Sequence, residues 1–341
     1  MLRIGTAFAL TGDGKLRGAA EVAGVELAVR ELNTAGGVNG ALVEVHHRDG
    51  TSPAEAFAAL AERQVDVIIG PDSTAAAEDL IPLSADAGIP LISASAPTGD
   101  GVMSFSLVAT GTAEDGLVAR LEGSILSVGT DLAAAAEPAG LEHLGAVEIT
   151  PGQTDFSALI AEASAADQIV IGTNGDLVAE TSSAIEALLA AGIAPSRLWF
   201  TGEALRSWPD LPEGALADAH GYRPGTVVDA ATEKLLRTSD PGLRETGSAA
   251  EAHDAVVLAA LAATMAADDG GPSIASRLRA AAGQGIHCAS FGECLAVLAD
   301  GQDIDYTGLS DIDLGDEGAP VTPTGTIYRY TGENRPAREV E

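Results

Sequence analysis

Basic residues are scarce in this 341-residue chain: 18 Lys and Arg stand against 50 Asp and Glu, a formal charge of −32. Phosphate backbones are gripped by clustered Lys and Arg, so this balance argues against nucleic acid as a partner. The same repulsion disfavours docking on an anionic membrane. What is left is a solvated, self-repelling surface, which favours a monomer. Aromatics make up only 4%, so the cores must rest on close helix-on-sheet packing of small residues. There are two cysteines, Cys288 and Cys294. Local pairing across a bend at Gly292 suits an exported protein, and a pair of buried thiols is the alternative. His287 is the one ligand type close by, too little for a metal site. No stretch approaches the roughly 20 apolar residues that span a bilayer. No basic, apolar and small-residue series of an export signal is evident either.

Enzymatic motifs are also missing. There is no Gly-x-Ser-x-Gly elbow and no His-Glu-x-x-His helix. His46 and His47 are neighbours on a presumed strand, so they face opposite sides and cannot share a site. Gly12, Gly14 and Gly18 follow the first strand and open a helix, with Asp49 closing the second strand. That loosely matches a dinucleotide-binding turn, but the spacing is not the stricter one, and Lys15 and Arg17 crowd the approach of a pyrophosphate. An NADP-dependent oxidoreductase is therefore the weaker alternative, and no cofactor is expected.

What the chain has is a rhythm. A β-like run ends in small polar residues, an Ala-rich amphipathic stretch follows, and a new β-like run begins. Residues 1–9 lead to Thr11-Gly12-Asp13-Gly14, then to a helical 17–34 and a strand-like 41–47. The pattern returns at 65–69 and 89–93. Such alternation predicts an α/β fold, a parallel sheet with helices on both faces. Ser52-Pro53-Ala54-Glu55 reads as a capping box with proline at the first helical position. Asp72-Ser73-Thr74 supplies an N-cap for a helix over 75–87 that stops at Gly88.

A second series of the same style follows residue 112. Helices are expected over 114–121, 132–139, 156–165 and 176–191, and strands over 125–128, 146–149, 168–171 and 197–200. After residue 225 helices dominate, at 229–236, 248–267 and 273–282, before a final strand at 326–330. The last third should thus return to cover the first lobe. Crossings near 109–111, 222–224 and 314–319 give a first lobe of 1–110 plus 225–315. The second lobe is then 111–224 plus 316–333, and 334–341 is a tail.

In such sheets ligands sit beyond the carboxyl ends of the strands. Ser73 and Thr74 stand at a helix N-terminus after a strand, where free amides and hydroxyls suit a carboxylate. Ser95 and Thr98 lie in the turn after the next strand. Glu203 ends a strand of the second lobe and could take an ammonium group. Together these residues complement a zwitterion.

Several segments resemble the branched-chain amino-acid-type periplasmic binding proteins, the type I solute receptors of ABC importers. They are Ile4-Gly5-Thr6-Ala7-Phe8-Ala9-Leu10-Thr11-Gly12, Gly24-Val25-Glu26-Leu27-Ala28-Val29 and Asn33-Thr34-Ala35-Gly36-Gly37-Val38-Asn39-Gly40. Residues 65–70, Ala87-Gly88-Ile89-Pro90-Leu91-Ile92-Ser93, Thr154-Asp155-Phe156, the cysteine segment and Ile304-Asp305-Tyr306-Thr307-Gly308-Leu309-Ser310 join them. The likeness extends to lipoproteins of that family. It implies two Rossmann-like lobes joined by three hinge strands that close on a small ligand without chemistry. It further implies an extracytoplasmic location, periplasmic or lipid-anchored, and an ABC permease as partner. A sensory module of the same fold, without transport, is the alternative.

By position the resemblance gives Thr74 a hydroxyl role toward the ligand carboxylate. It gives the Ser95 carbonyl and Glu203 roles toward the ammonium group. Departures bear on the ligand's side chain. Pro97 stands where a Thr offers its N–H and hydroxyl, and proline has no N–H; Thr98 is the candidate substitute. Arg17 replaces an aromatic that packs on the ligand, and Asn174 falls at another position often aromatic. The pair points to a more polar or acidic ligand.

Overall fold

A computed structural model of the chain describes residues 1–12, 14–96, 99–109, 113–173, 177–244, 246–283, 285–312, 314–315, 318–320 and 325–339. It divides into two compact units, Met1–Thr110 with Gly225–Pro323, and Gly111–Pro224 with Thr324–Glu341.

The first unit opens with β1 (Arg3–Phe8), α1 (Lys15–Thr34), β2 (Glu44–Asp49), α2 (Pro53–Glu62), β3 (Val67–Ile69), α3 (Thr74–Ala87), β4 (Leu91–Ser93) and β5 (Ser104–Ser106). The second holds α4 (Ala113–Val118), β6 (Ser124–Val128), α5 (Ala133–Ala136), β7 (Glu142–Val147) and α6 (Ser157–Ala163). Next come β8 (Gln168–Ile171), α7 (Val178–Ala190), β9 (Leu198–Phe200) and β10 (His220–Pro224). The chain then returns to the first unit with α8 (Ala230–Ser239), α9 (Ala249–Ala266), α10 (Gly271–Ala275), α11 (Leu278–Ala281), β11 (Ile286–Cys288), α12 (Phe291–Ala299) and β12 (Ile304–Tyr306). It closes in the second with β13 (Gly325–Tyr330) and β14 (Pro336–Arg338).

The first sheet runs β2-β1-β3-β4-β5, all parallel. Alternation along β3 shows how it is covered. Val67 and Ile69 pack with Val25 of α1 and Val256 of α9, while Ile68 packs with Phe57 of α2 and Leu80 of α3. Successive strand residues face opposite sides, so both faces are buried. The second sheet runs β14-β13-β10-β9-β8-β6-β7. Its β6 to β10 are parallel, and β13 adds antiparallel to β10. It is likewise two-sided: Ile169 and Phe200 pack with Leu188 of α7, Val170 and Trp199 with Leu117 of α4.

In the first unit, helices approach by way of glycine. A Cβ on Gly18 would lie 2.1 Å from the Ala9 carbonyl oxygen, and one on Gly24 would lie 2.1 Å from that of Ala249. α9 is long and apolar enough to cross a membrane by composition alone, contrary to the expectation that no segment comes near this. It is instead a buried helix of the first unit, and it carries Glu251, His253 and Asp254 inside. Asp254 holds the loop after β12. It accepts from Tyr306 Oη (2.7 Å), from the amides of Leu309 (2.8 Å) and Ser310 (2.7 Å), and from Ser310 Oγ (2.6 Å).

Several expectations are corrected. The second segment of the first unit is bounded as Gly225–Pro323, longer than the expected 225–315. Ile312 and Leu314 are in the first unit's core, and Gly318 accepts the Ser106 amide at 2.9 Å beside β5. Residues 334–339 are not a loose tail: β14 pairs antiparallel with β13, and buried Asn334 donates to the Leu211 and Pro212 carbonyls. Ser52 makes no side-chain cap, although Pro53 does open α2. The strand expected at 146–149 begins earlier, as β7, and the helix expected at 273–282 is broken into α10 and α11. Cys288 and Cys294 form a disulfide, but not across a bend at Gly292. That glycine lies in the first turn of α12, capped by Ser290, and the helix itself brings Cys294 back to the end of β11.

Candidate functional site

At the carboxyl ends of the first sheet, neighbouring turns are tied together by side chains. Asp49, ending β2, accepts the Leu10 amide (3.1 Å) and Thr11 Oγ1 (2.6 Å) of the β1 turn. Asp72, after β3, accepts the Ala9 amide at 2.8 Å. Ser93, ending β4, donates to the Pro71 carbonyl (2.7 Å) and accepts the Ser95 and Ala96 amides. The β3 and β4 turns are thus one assembly. Ser73 within it caps α3, its Oγ accepting the Ala76 amide at 3.3 Å. The positive end of a 14-residue helix is thereby presented at the sheet edge.

Beneath these turns lie groups of α1. Arg17 donates to the Asp72 carbonyl at 2.9 Å and sits 3.7 Å from its carboxylate. One turn on, fully buried Glu21 accepts from Ser95 Oγ at 2.5 Å. Glu21 Oε2 and Arg17 Nε are buried with no hydrogen-bond partner among the described residues. Burial pushes the Glu21 carboxyl up to about 8, against the Ser95 bond, which favours the ionised form. Glu251, at the start of α9, is raised to about 7 by burial although it accepts the Thr226 amide at 2.7 Å. In both, the cost of burying a charged carboxylate outweighs the groups that favour ionisation.

The second unit offers a cavity of about 330 Å³ at the carboxyl ends of β6, β7 and β8. Hydroxyls and carboxylates line it: Thr130, Asp131, Glu148, Thr173 and Thr181. Thr173 and Thr181 are hydrogen-bonded at 2.8 Å, and Thr181 also donates to the Leu177 carbonyl. A larger cavity, about 730 Å³, lies in the first unit along α1 and α8. Its polar lining is paired internally, His47 between Thr6 and Glu26, and Arg30 on Thr238 and Ser239. The sheet-edge assembly, with its unpartnered buried atoms, is the stronger candidate for a ligand.

Of the sequence-predicted residues, the structure brings Ser73, Ser95 and Arg17 to this one edge. Thr74 opens α3 and Glu203 lies in the 3-10 turn Gly202–Ala204 after β9; their side chains are outside what is described. Thr98 and Asn174 lie outside the described residues, as does Pro97. The Arg17 charge, offered as a reason for an acidic ligand, is already answered by Asp72. Two glycines of the supposed nucleotide turn serve packing, since added Cβ atoms at Gly14 and Gly18 would strike Ala9, and Gly12 serves a left-handed backbone at φ 68°. Asp49 is spent on its neighbouring turn, which together with Thr51 holds its carboxyl down at about 2. Sequence reasoning missed Glu21 and Glu251. Their signal was there: an acid inside an Ala- and Gly-rich helical stretch, Glu21 four residues after Arg17. Among the described residues no group of three or more His, Cys, Asp or Glu is placed to hold a metal.

A periplasmic binding protein family model matches residues 1–129. No protein of curated function matches the chain. Among solved structures, it is similar to the branched-chain amino acid transporter substrate-binding protein of Streptococcus pneumoniae, determined with isoleucine. That match has a TM-score of 0.65 and 19% identity, covering 99% of this chain and 100% of that one. The leucine-binding protein of Thermotoga maritima gives a TM-score of 0.63 at 15% identity, covering 100% and 98%. An ABC transporter substrate-binding protein of Desulfitobacterium hafniense, complexed with Leu, gives 0.66 at 15%, covering 99% of each. The chain therefore has the two-lobed α/β fold of the type I periplasmic binding proteins. The matched family and these structures are solute receptors, not enzymes.

Proposed function

We propose that this chain, with the fold of a type I solute receptor, is the extracytoplasmic ligand-binding component of an ABC importer. Its ligand is an amino acid or a related polar carboxylate. The observation that carries this reading is the joined pair of turns after β3 and β4, where the capped N-terminus of α3 meets the Ser95 turn. A carboxylate is stabilised at such a helix end by unpaired amides and the dipole. Thr74 is the hydroxyl for that carboxylate, and the Ser95 carbonyl and Glu203 are the partners of the ammonium group. Thr98 is a further hydroxyl for the carboxylate, and Arg17 and Asn174 are assigned to the ligand's side chain in this reading. Capture by hinge closure, delivery to a permease and anchoring at the cell surface belong to the same proposal.

A thermal-shift screen against the twenty L-amino acids, small carboxylates, amides and polyamines tests it. A ligand at 100 times its Kd stabilises by about 2.7 kcal/mol and raises the Tm accordingly. No shift with any amino acid or carboxylate overturns the reading. With the ligand in hand, Glu203→Ala is expected to weaken binding by about 2–4 kcal/mol in calorimetry. Unchanged affinity removes Glu203 from the ammonium site.

A further inference from the structure

Glu21 is used by nothing described so far. It is fully buried on α1, under the Ser95 turn, with one oxygen 2.5 Å from Ser95 Oγ and the other without a donor among the described residues. A hydroxyl in contact with a carboxyl can point only one way at a time. When Glu21 is ionised it can only accept, so the Ser95 O–H must donate to it. The Ser95 oxygen then turns its lone pairs outward, toward a donor such as an ammonium group. When Glu21 carries a proton, its own O–H can donate to Ser95, and the Ser95 hydrogen is free to turn outward toward an acceptor.

We propose that Glu21 is a positioning residue that decides ligand class: it sets the direction of the Ser95 hydroxyl, so that an ammonium-bearing ligand is taken up as Glu21 gives up its proton. This assignment rests on the amino-acid reading above. The charged groups around Glu21 are Arg17 on its own helix, Asp72 in the β3 turn and Glu251 on α9. Asp72 and Glu251 oppose ionisation and Arg17 favours it. A ligand ammonium at Ser95 would add a second cation and tip the balance. Burial keeps the proton on Glu21 at neutral pH in the empty protein, which makes its release on binding measurable.

The test is calorimetry at pH 6, 7 and 8 in two buffers of different ionisation enthalpy. The probe is the L-amino acid giving the largest thermal shift, with its matching desamino carboxylic acid as control. Wild type is expected to release up to one proton per bound amino acid, with affinity rising by up to tenfold per pH unit. Glu21→Gln keeps the shape and the neutral state, so a merely structural role leaves both readouts unchanged. The proposal expects proton release to vanish, the pH profile to flatten and amino-acid affinity to fall about tenfold at pH 8. Glu251→Gln, which removes the other raised carboxyl and leaves Glu21 in place, should keep the proton release, with its profile moved to lower pH because one group opposing ionisation is gone. Release that persists in Glu21→Gln, or equal release with the desamino control, overturns the role.

A ligand-free arm separates the two readings. The carbon-13 resonance of the Glu21 carboxyl is titrated in wild type and in Ser95→Ala. An upward shift of the midpoint in Ser95→Ala supports the coupling, and an unchanged midpoint rejects it. If no amino acid shifts the wild type, the amino-acid reading fails alone, and this arm still decides whether Glu21 governs Ser95.

Discussion

The two units share an architecture and build it from different material. The first unit brings backbones together: glycines of α1 touch Ala9 and Ala249, and α9 is buried as an Ala- and Val-rich rod. It also buries titratable groups, Glu21, Glu251, His253 and Asp254. The second unit fills its sheet with rings. Phe200 lies 4.8 Å from Tyr330 and 6.3 Å from Trp208, and Trp199 stacks on His220 at 4.7 Å. Close packing of small residues leaves room for helices to carry polar groups inward, whereas aromatic cores exclude them. The difference teaches that the first unit's stability is tied to protonation and the second's to apolar volume.

The contrast can be broken experimentally, and both tryptophans of the chain, Trp199 and Trp208, lie in the second unit. Tryptophan fluorescence therefore follows that unit, and amide exchange along α9 follows the first. The largest effect is expected from Phe200→Ala, which removes a fully buried ring and should cost about 3–5 kcal/mol. A urea midpoint by fluorescence that barely moves would show the aromatic cluster to be dispensable.

Next comes pH. In the first unit Glu21 and Glu251 are raised from 4.5 to about 8 and about 7 by burial. His253 is raised from 6.5 to about 9: burial would lower it, but its bonds to Asp254 and Glu31 prevail. A folded value above the unfolded one gives stability present below the unfolded value and lost as pH climbs through the folded one. Protection of the α9 amides should therefore weaken between pH 5 and 9, on the order of 3 kcal/mol. In the second unit His220 is lowered, first by burial, so its contribution is lost as pH falls below 6.5, the opposite slope. Parallel slopes for the two probes would dissolve the distinction.

Gly24→Ala follows. Its methyl would meet the Ala249 carbonyl at 2.1 Å and push α1 and α9 apart. Overpacking of this kind should cost about 2–3 kcal/mol, with loss of α9 protection and an unaltered tryptophan transition. The smallest effect belongs to the disulfide, which closes a short loop with a sequence separation of 6. Replacing both cysteines by alanine should lower the first unit's stability by about 2 kcal/mol on the chain-entropy view. No change in exchange along α12 would show the bond to be idle.

How much was legible follows from which signals are local. Strands such as Gln168–Ile171 and Leu198–Phe200 stand out because a short apolar run bounded by polar turns has few other readings. The Ser73 cap and the Gly88 stop are equally local. β5, β11 and β14, three residues each, were not legible; only pairing to a neighbour makes such segments strands. The Gly292 bend failed because a glycine in the first turn of a capped helix costs little. At the candidate site, Ser73 and Ser95 were picked out by their place after strands, and Arg17 by the family resemblance. Glu21 and Asp72 were not, because their meaning depends on contacts 74 and 63 residues away in the chain.

The sequence by itself determined the α/β rhythm, the acidic and basic-poor surface, and the turns where polar residues follow strands. Those properties live in neighbours a few positions apart, where periodicity, capping and backbone preference act directly. Only the tertiary structure decided that Arg17 would be answered by Asp72, that Gly18 and Gly24 are contact points, and that Glu21 lies buried against Ser95. Burial and the loss of water around a charge are properties of the assembled unit, and no stretch of chain carries them alone.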